Sequence, residues 1–193
     1  VSGWPVPLRG VTESVVTTLG PNDRYNAAPL GIHAPEEAGA SPRARTWGRT
    51  RTWRNFTERG EGWVQFLRDP VVFTEAALGI HEVDEPVLDG ADAWVRVAVE
   101  QLDTGQEGGT EWVDWRLDPV DHGVRRRTVP TFNRGYAAVV EATVAASRLD
   151  VEAYDTDRLR ERIDYFEAVA RRAGGPAEQA AFERLYELVE VDG

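Results

Sequence analysis

The 193-residue sequence contains no cysteine, no methionine and no lysine. Without cysteine there is no disulfide framework, no thiolate nucleophile and no Cys-ligated zinc or iron–sulfur cluster. Without lysine there is no Schiff base to a substrate or pyridoxal group, and no Walker-type phosphate loop, whose chemistry needs a lysine on the terminal phosphates. Serine occurs only at positions 2, 14, 41 and 147. None lies in a nucleophile-elbow pattern, which argues against Ser-His-Asp hydrolysis. His33, His81 and His122 are scattered without ligand spacing and imply no metal. No apolar run approaches the ~20 residues of a membrane helix, since the best one, 135–140, is cut by Glu141. Residues 1–10 lack the basic head and apolar core of a secretory signal, so a cytoplasmic protein without membrane partners is expected.

What is present is acidic and partitioned. The net charge is −11, and all 22 basic residues are arginine. An acidic, lysine-free surface fits a halophilic protein, because carboxylates hold hydration in concentrated salt. A compositional bias of the genome explains it equally well. All seven tryptophans fall between Trp4 and Trp115, whereas the chain beyond about Arg127 is rich in Ala, Glu and Arg. The shift divides the sequence into a β domain, 1–125, and a helical C-terminal domain, 126–193.

Within the first part, 11–19 and 25–32 flank the turn Gly20-Pro21-Asn22-Asp23 and predict a hairpin. Segments 63–67, 94–102 and 110–117 add strands, the second with alternation of Trp94, Arg96 and Ala98 against Val95, Val97 and Val99. Two short helices, 52–59 and 69–78, interrupt the sheet, the latter capped by Asp69 with Pro70 in its first turn. In the second part three helices are expected. Asn133 caps the first, Asp155 or Thr156 caps the second, and Pro176 opens the third after Gly174-Gly175.

The main anomaly is the stretch 43–59, with six arginines (Arg43, Arg45, Arg49, Arg51, Arg54, Arg59) and one acid, Glu58. Residues 38–57 contain no carboxylate, so these guanidinium groups have no local counter-ion. Either the fold brings carboxylates to them or an anion binds. Thr50, Arg51, Thr52 and Asn55 supply hydroxyls, a guanidinium fork and the open amides of a starting helix, the groups that hold a phosphate. An Arg-rich edge strand paired to the acidic surface is the alternative. A second oddity is Asn26-Ala27-Ala28-Pro29-Leu30-Gly31. Small residues followed by a proline let a flat group approach the backbone, or else simply end an edge strand. The run Arg125-Arg126-Arg127 offers a nucleic-acid contact, but the acidic remainder opposes binding to a polyanion.

These residues resemble an archaeal family of uncharacterised proteins whose N-terminal domain is an FMN-binding split β-barrel akin to flavin reductase-like proteins. The resemblance rests on Thr12-Glu13-Ser14-Val15-Val16-Thr17-Thr18, on Asn26-Ala27-Ala28-Pro29, on Thr50-Arg51-Thr52 with Asn55, on Asp69-Pro70, and on Phe132-Asn133-Arg134 through Glu141 to Arg148-Leu149. It implies a mixed β and α protein, a split barrel followed by three helices, that forms a homodimer with FMN at or near the subunit interface. By that resemblance the phosphate goes to Thr50, Arg51, Thr52 and Asn55. The isoalloxazine ring lies along Asn26, Ala27, Ala28, Pro29 and Leu30, and Asn133 and Arg134 are second-rank flavin contacts. Leu30 departs from the methionine usual in relatives, and Ala173 from the threonine often found before Gly174-Gly175.

The implied activity is electron or hydride transfer between FMN and a partner such as a nicotinamide donor, with the cofactor carrying the chemistry that this chain's side chains lack. A non-catalytic carrier or sensor of FMN, or of another phosphorylated ligand, is the alternative, because a fold does not fix a function. A nucleic-acid adaptor built on 43–59 is a third, disfavoured by the salt sensitivity of such binding.

Overall fold

β1 (Val11–Leu19) and β2 (Tyr25–His33) pair antiparallel along their whole length, from Val11 opposite His33 to Leu19 opposite Tyr25. Their turn closes with the Gly20 N–H on the Arg24 carbonyl at 2.8 Å, and Asp23 takes φ +58°, a conformation Asp tolerates better than most residues. The sequence hairpin is thus present with its expected turn. The structure, a computed structural model, describes residues 3–37, 39–129 and 131–189.

The remaining strands are β3 (Arg43–Trp47), β4 (Glu61–Phe66), β5 (His81–Val83), β6 (Ala93–Glu107) and β7 (Thr110–Val124). Their order is β1-β4-β6-β7-β3-β2, and β2 pairs back onto β1, so six strands close a barrel. β5 attaches to the other edge of β2. Closure needs β3, the segment for which the sequence left an Arg-rich edge strand open. It is a barrel strand, joined to β7 over its whole length but to β2 only through Ile32 and His33.

The barrel interior is filled by residues at alternate strand positions, as a closed sheet requires. Val16, Ile32, Val64, Val95, Val97 and Leu117 are all at 0% exposure. Each such burial contributes roughly 1.5–3 kcal/mol. The strong β6 alternation seen in the sequence is this inward row. β6 and β7 run further than the sequence suggests, to 15 residues each. Trp112 and Trp94 lie over the cross-strand glycines Gly105 and Gly123, where any side chain would collide with the indole.

α1 (Arg51–Arg59) follows β3 and inserts Phe56 into the barrel core, edge-on to Trp115 at 5.4 Å between ring centroids. Gly62 of β4 permits this approach, because a Cβ there would sit 2.8 Å from the Phe56 ring.

The helices are α2 (Pro70–Leu78), α3 (Arg134–Ala146), α4 (Thr156–Ala173) and α5 (Pro176–Leu188), the first three capped by Asp69, Asn133 and Asp155. Residues up to 68 together with 81–127 form one compact unit, and 69–80 with the chain beyond 127 form the other. This differs from the division at 125/126 in one segment, because α2 belongs with the helices. Val71 and Leu78 join the apolar cluster of α3–α5, and Glu75 pairs with Arg184 at 3.1 Å. α2 is apolar on several faces, so its pattern named no partner. In the helical unit Gly135 packs on Gly174, where a Cβ would lie 2.4 Å from the Gly174 Cα. Among the described residues no helix is long and apolar enough to cross a membrane.

Candidate functional site: an open strand edge beside the start of α1

β2 uses one edge to pair with β1. On its other edge, Tyr25, Asn26 and Ala27 pair with β5, and Ile32 and His33 pair with β3. Between them, among the described residues, no strand pairs with Ala28, Pro29, Leu30 or Gly31 on that edge. Four residues span roughly 13 Å at ~3.3 Å each. Pro29 explains part of this opening, since it has no N–H to extend a ladder. Leu30 is only 4% exposed and its side chain lies in the barrel core, so it can offer a ligand its backbone but not its side chain. The Leu30 carbonyl already accepts from Ser14 Oγ at 2.6 Å. Ala27 and Asn26 are also buried.

The second half of the site is the beginning of α1. Thr50 is its cap and accepts the Trp53 N–H on its hydroxyl at 3.2 Å. The Arg51 and Thr52 amides therefore remain as the open donors of the first turn. No acidic residue occupies that turn, so the positive end of the helix faces no carboxylate of its own. Thr52 and Asn55 were expected beside the phosphate, but both side chains are buried. Asn55 is fully buried and donates to the Thr18 hydroxyl at 2.9 Å and the Thr18 carbonyl at 3.3 Å, while its own oxygen accepts from Arg54. Its role is to fasten α1 to β1, which sets where Thr50 and Arg51 stand.

Of the two alternatives left open for the arginine stretch, the fold brings carboxylates to four of its six arginines. Arg43 lies 3.8 Å from Glu36, Arg49 3.3 Å from Glu111, and Arg51 2.6 Å from Glu82. Arg45 makes two bonds to Asp114, at 2.6 and 2.8 Å, and its guanidinium lies 3.8 Å over the Trp112 ring and 5.5 Å from that of Trp47. The Arg45 hydrogen bond holds the Asp114 carboxyl below the usual carboxylate range, and the same bond raises Arg45. Two residues of the run at 125–127 are likewise anchored, Arg126 on Asp92 at 3.3 Å and Arg125 on the Leu88 carbonyl at 3.0 Å.

These pairs are not equivalent. Arg45 is bidentate and stacked, whereas Arg51 makes one end-on contact with its side chain 42% exposed. Glu82 sits in β5 opposite Asn26, so a single carboxylate links the strand carrying the open edge to the start of α1. The structure in this way joins the 26–30 and 50–55 sets. Sequence inspection missed Glu82. The charge balance required some carboxylate, but a three-residue strand has too little pattern to say which.

Asn133 and Arg134 belong to the helical unit. Asn133 accepts the Gly135 N–H at 2.7 Å as the cap of α3, and its amide reaches Glu178 of α5 at 3.5 Å. Glu178 in turn accepts the Gly175 N–H at 2.7 Å. Asn133 therefore has a structural task in joining two helix starts, while Arg134 is exposed.

An FMN-bound protein from Methanosarcina mazei, assigned to the family DUF447, is 28% identical with a TM-score of 0.78, over 94% of this chain and 96% of that one. The flavin reductase HpaC, solved with NADP+, is 13% identical over 62% of this chain and 81% of its own, with a TM-score of 0.43. An FMN-binding protein from Thermus thermophilus with bound p-hydroxybenzaldehyde is 16% identical over 65% of this chain and 80% of its own, with a TM-score of 0.41. Residues 12–126 match the N-terminal domain of the protein family of unknown function DUF447, and residues 133–187 match the same family's C-terminal part. The chain belongs to the DUF447 family.

Proposed function

We propose that the protein binds FMN, with the phosphate at the start of α1 and the isoalloxazine ring along the open edge of β2. The observation that carries this is the pairing of two features with the FMN-bound relative, which is similar over nearly the whole chain. The first feature is an unpaired strand edge next to small residues, where a flat ring can meet backbone polar groups. The second is a helix start with open amides and an arginine in an exchangeable contact. Arg51 and the Thr50 hydroxyl would hold the phosphate, and the Ala28 to Gly31 backbone would hold the ring. Asn55 would act from below by fixing α1.

Bound FMN would supply electron or hydride transfer, chemistry that the side chains of this protein do not carry by themselves. The chain's contribution is position and electrostatics. The small side chain of Ala28 leaves room for the ring, the buried Leu30 keeps the floor rigid, and backbone groups along the edge stay fixed because β1 holds the strand from the other side. Ala27 to Gly31 carry no side-chain acid or base. That absence supports a role in which the electrons come from a separate donor, such as a nicotinamide, and it equally supports a carrier that binds FMN without turnover. A homodimer is the assembly the family resemblance suggests, measurable by light scattering.

The test is the flavin spectrum. Protein mixed with FMN should quench its fluorescence and shift its visible bands, whereas unchanged free-flavin emission refutes the proposal. Anaerobic mixing with NADH or NADPH then separates the two roles, since bleaching at a catalytic rate marks a reductase and no bleaching marks a carrier.

A further inference from the structure

Arg51 is already engaged by an anion. Glu82 Oε1 accepts from Arg51 Nη1 at 2.6 Å, and Oε2 accepts from Asn22 Nδ2 at 3.1 Å. The backbone behind that carboxylate is also fixed: Glu82 pairs with Asn26 across β2–β5, and its carbonyl accepts from Arg24 Nη2 at 3.0 Å. Both carboxylate oxygens are thus occupied, and only 22% of the side chain is exposed. This is an organised group standing where the phosphate is proposed to bind.

The neighbouring charges do not relieve it. Arg24 is the other cation bonded to the Glu82 strand, and its Nε lies 3.2 Å from Asp84. Arg49, two residues before Arg51, is taken by Glu111. Around the start of α1 the two cations Arg24 and Arg51 therefore meet the two anions Glu82 and Asp84. A phosphate monoester arriving with nearly two negative charges meets the positive start of α1, but it gains the Arg51 guanidinium in full only if Glu82 gives it up. If both stayed on the same guanidinium, carboxylate and phosphate would stand about 5 Å apart and repel, only partly screened by solvent.

We propose that Glu82 is the specificity-determining residue of this site, a resident counter-ion of Arg51 that a phosphate ester must displace. The inference rests on the FMN reading above and deepens it. Glu82 keeps the site neutral without ligand and lowers the advantage of FMN over riboflavin, so the flavin exchanges instead of remaining permanently bound. An orienting role predicts the opposite sign, because a group that merely aims Arg51 would strengthen phosphate binding.

The experiment is Glu82→Gln, which preserves size and an oxygen acceptor for Arg51 while deleting the charge. FMN and riboflavin titrations are run on wild type and variant at fixed ionic strength, with Tm measured against added inorganic phosphate in parallel. The variant should bind FMN about 5- to 30-fold more tightly. Riboflavin affinity should be unchanged, and phosphate should raise Tm more than in wild type. Weaker FMN binding, an unchanged FMN-to-riboflavin ratio, or equal phosphate shifts in Tm would overturn the inference. Should Glu82→Gln fold poorly by circular dichroism, Glu82→Ala carries the same expected signs. If wild type binds neither flavin, the FMN reading fails by itself, and the phosphate measurement still decides whether Glu82 opposes an anion at Arg51.

Discussion

Replacing Arg51 by alanine tests the assignment of the phosphate end most directly, and the structure sets the size of the effect. A charge-assisted hydrogen bond from guanidinium to phosphate contributes about 1.5–3 kcal/mol. In the ligand-free protein Arg51 is not idle, because it holds Glu82 at 2.6 Å with side-chain exposures of 42% and 22%. A pair this open is worth about 0–1 kcal/mol, and FMN must forgo it on binding. The net loss on Arg51→Ala is then about 0.5–3 kcal/mol, or roughly 2- to 160-fold in Kd. Riboflavin, lacking the phosphate, should lose almost nothing. Arg51→Lys keeps the charge but not the fork and should fall between the two. Fluorescence titration with both flavins measures all of this, and Arg158→Ala on α4 is a control expected to change neither affinity. Equal losses for FMN and riboflavin would show that Arg51 does not meet the phosphate, and the proposed orientation of the flavin would be wrong.

Asn55→Ala strands the fully buried Thr18 hydroxyl and removes the partner of Arg54, so the barrel should lose about 2–3 kcal/mol in urea unfolding; a loss below about 0.5 kcal/mol would mean that α1 is fastened by Phe56 alone. Asp114→Asn tests the Arg45 pair through acid sensitivity. The folded-state pKa of Asp114 is depressed chiefly by the Arg45 hydrogen bond, so its stabilisation is complete above the unfolded value of about 3.9 and disappears as pH falls through the lower folded value. The variant should lose about 1 kcal/mol at pH 7 but show a smaller further loss between pH 5 and pH 2 than wild type. An unchanged acid limb would refute the link.

The elements legible in the sequence were those whose signals are local. The β1–β2 turn, the caps Asp69, Asn133 and Asp155, and the inward row of β6 all depend on residues within a few positions of each other, and they stand where the pattern put them. β3 and β5 were obscured for opposite reasons. β3 carries arginines at positions that meet partners such as Asp114 on β7, which makes it too polar to read as a barrel strand. β5 is three residues long and owes its existence to the edge of β2. The association of α2 with α5 was invisible because an ion pair between Glu75 and Arg184 is separated by more than a hundred positions in the chain. In the candidate site, the sequence offered the residue types at 50–55 but not their orientations. Burial of Thr52 and Asn55 follows from the seating of Phe56 in the barrel, a tertiary fact.

The same distinction explains why guanidinium charge that is unpaired along 38–57 in the sequence is largely paired in the fold. Counting charges along 38–57 treats sequence neighbours as spatial neighbours, which holds on a helix turn but not on a strand, whose partners come from distant segments. Once the sheet forms, each arginine must be judged by how its pair is made. Arg45 is held by two bonds and two aromatic faces, and removing its partner leaves a crowded guanidinium that no ligand can easily reach. Arg51 makes a single bond, is more exposed, and begins a helix whose positive end favours an added anion and disfavours Arg51 itself. An arginine at that first position costs helix stability unless an anion is near, and Glu82 meets the need with one oxygen while its other stays on Asn22. Four of the six arginines in the patch thus have a carboxylate partner, while Arg54 bonds the neutral amide oxygen of Asn55. Arg43 and Arg49 have looser and more exposed pairs than Arg51, but among Arg43, Arg45, Arg49 and Arg51 only Arg51 stands at the open start of α1 and reaches, through Glu82, the strand that flanks the unpaired edge of β2.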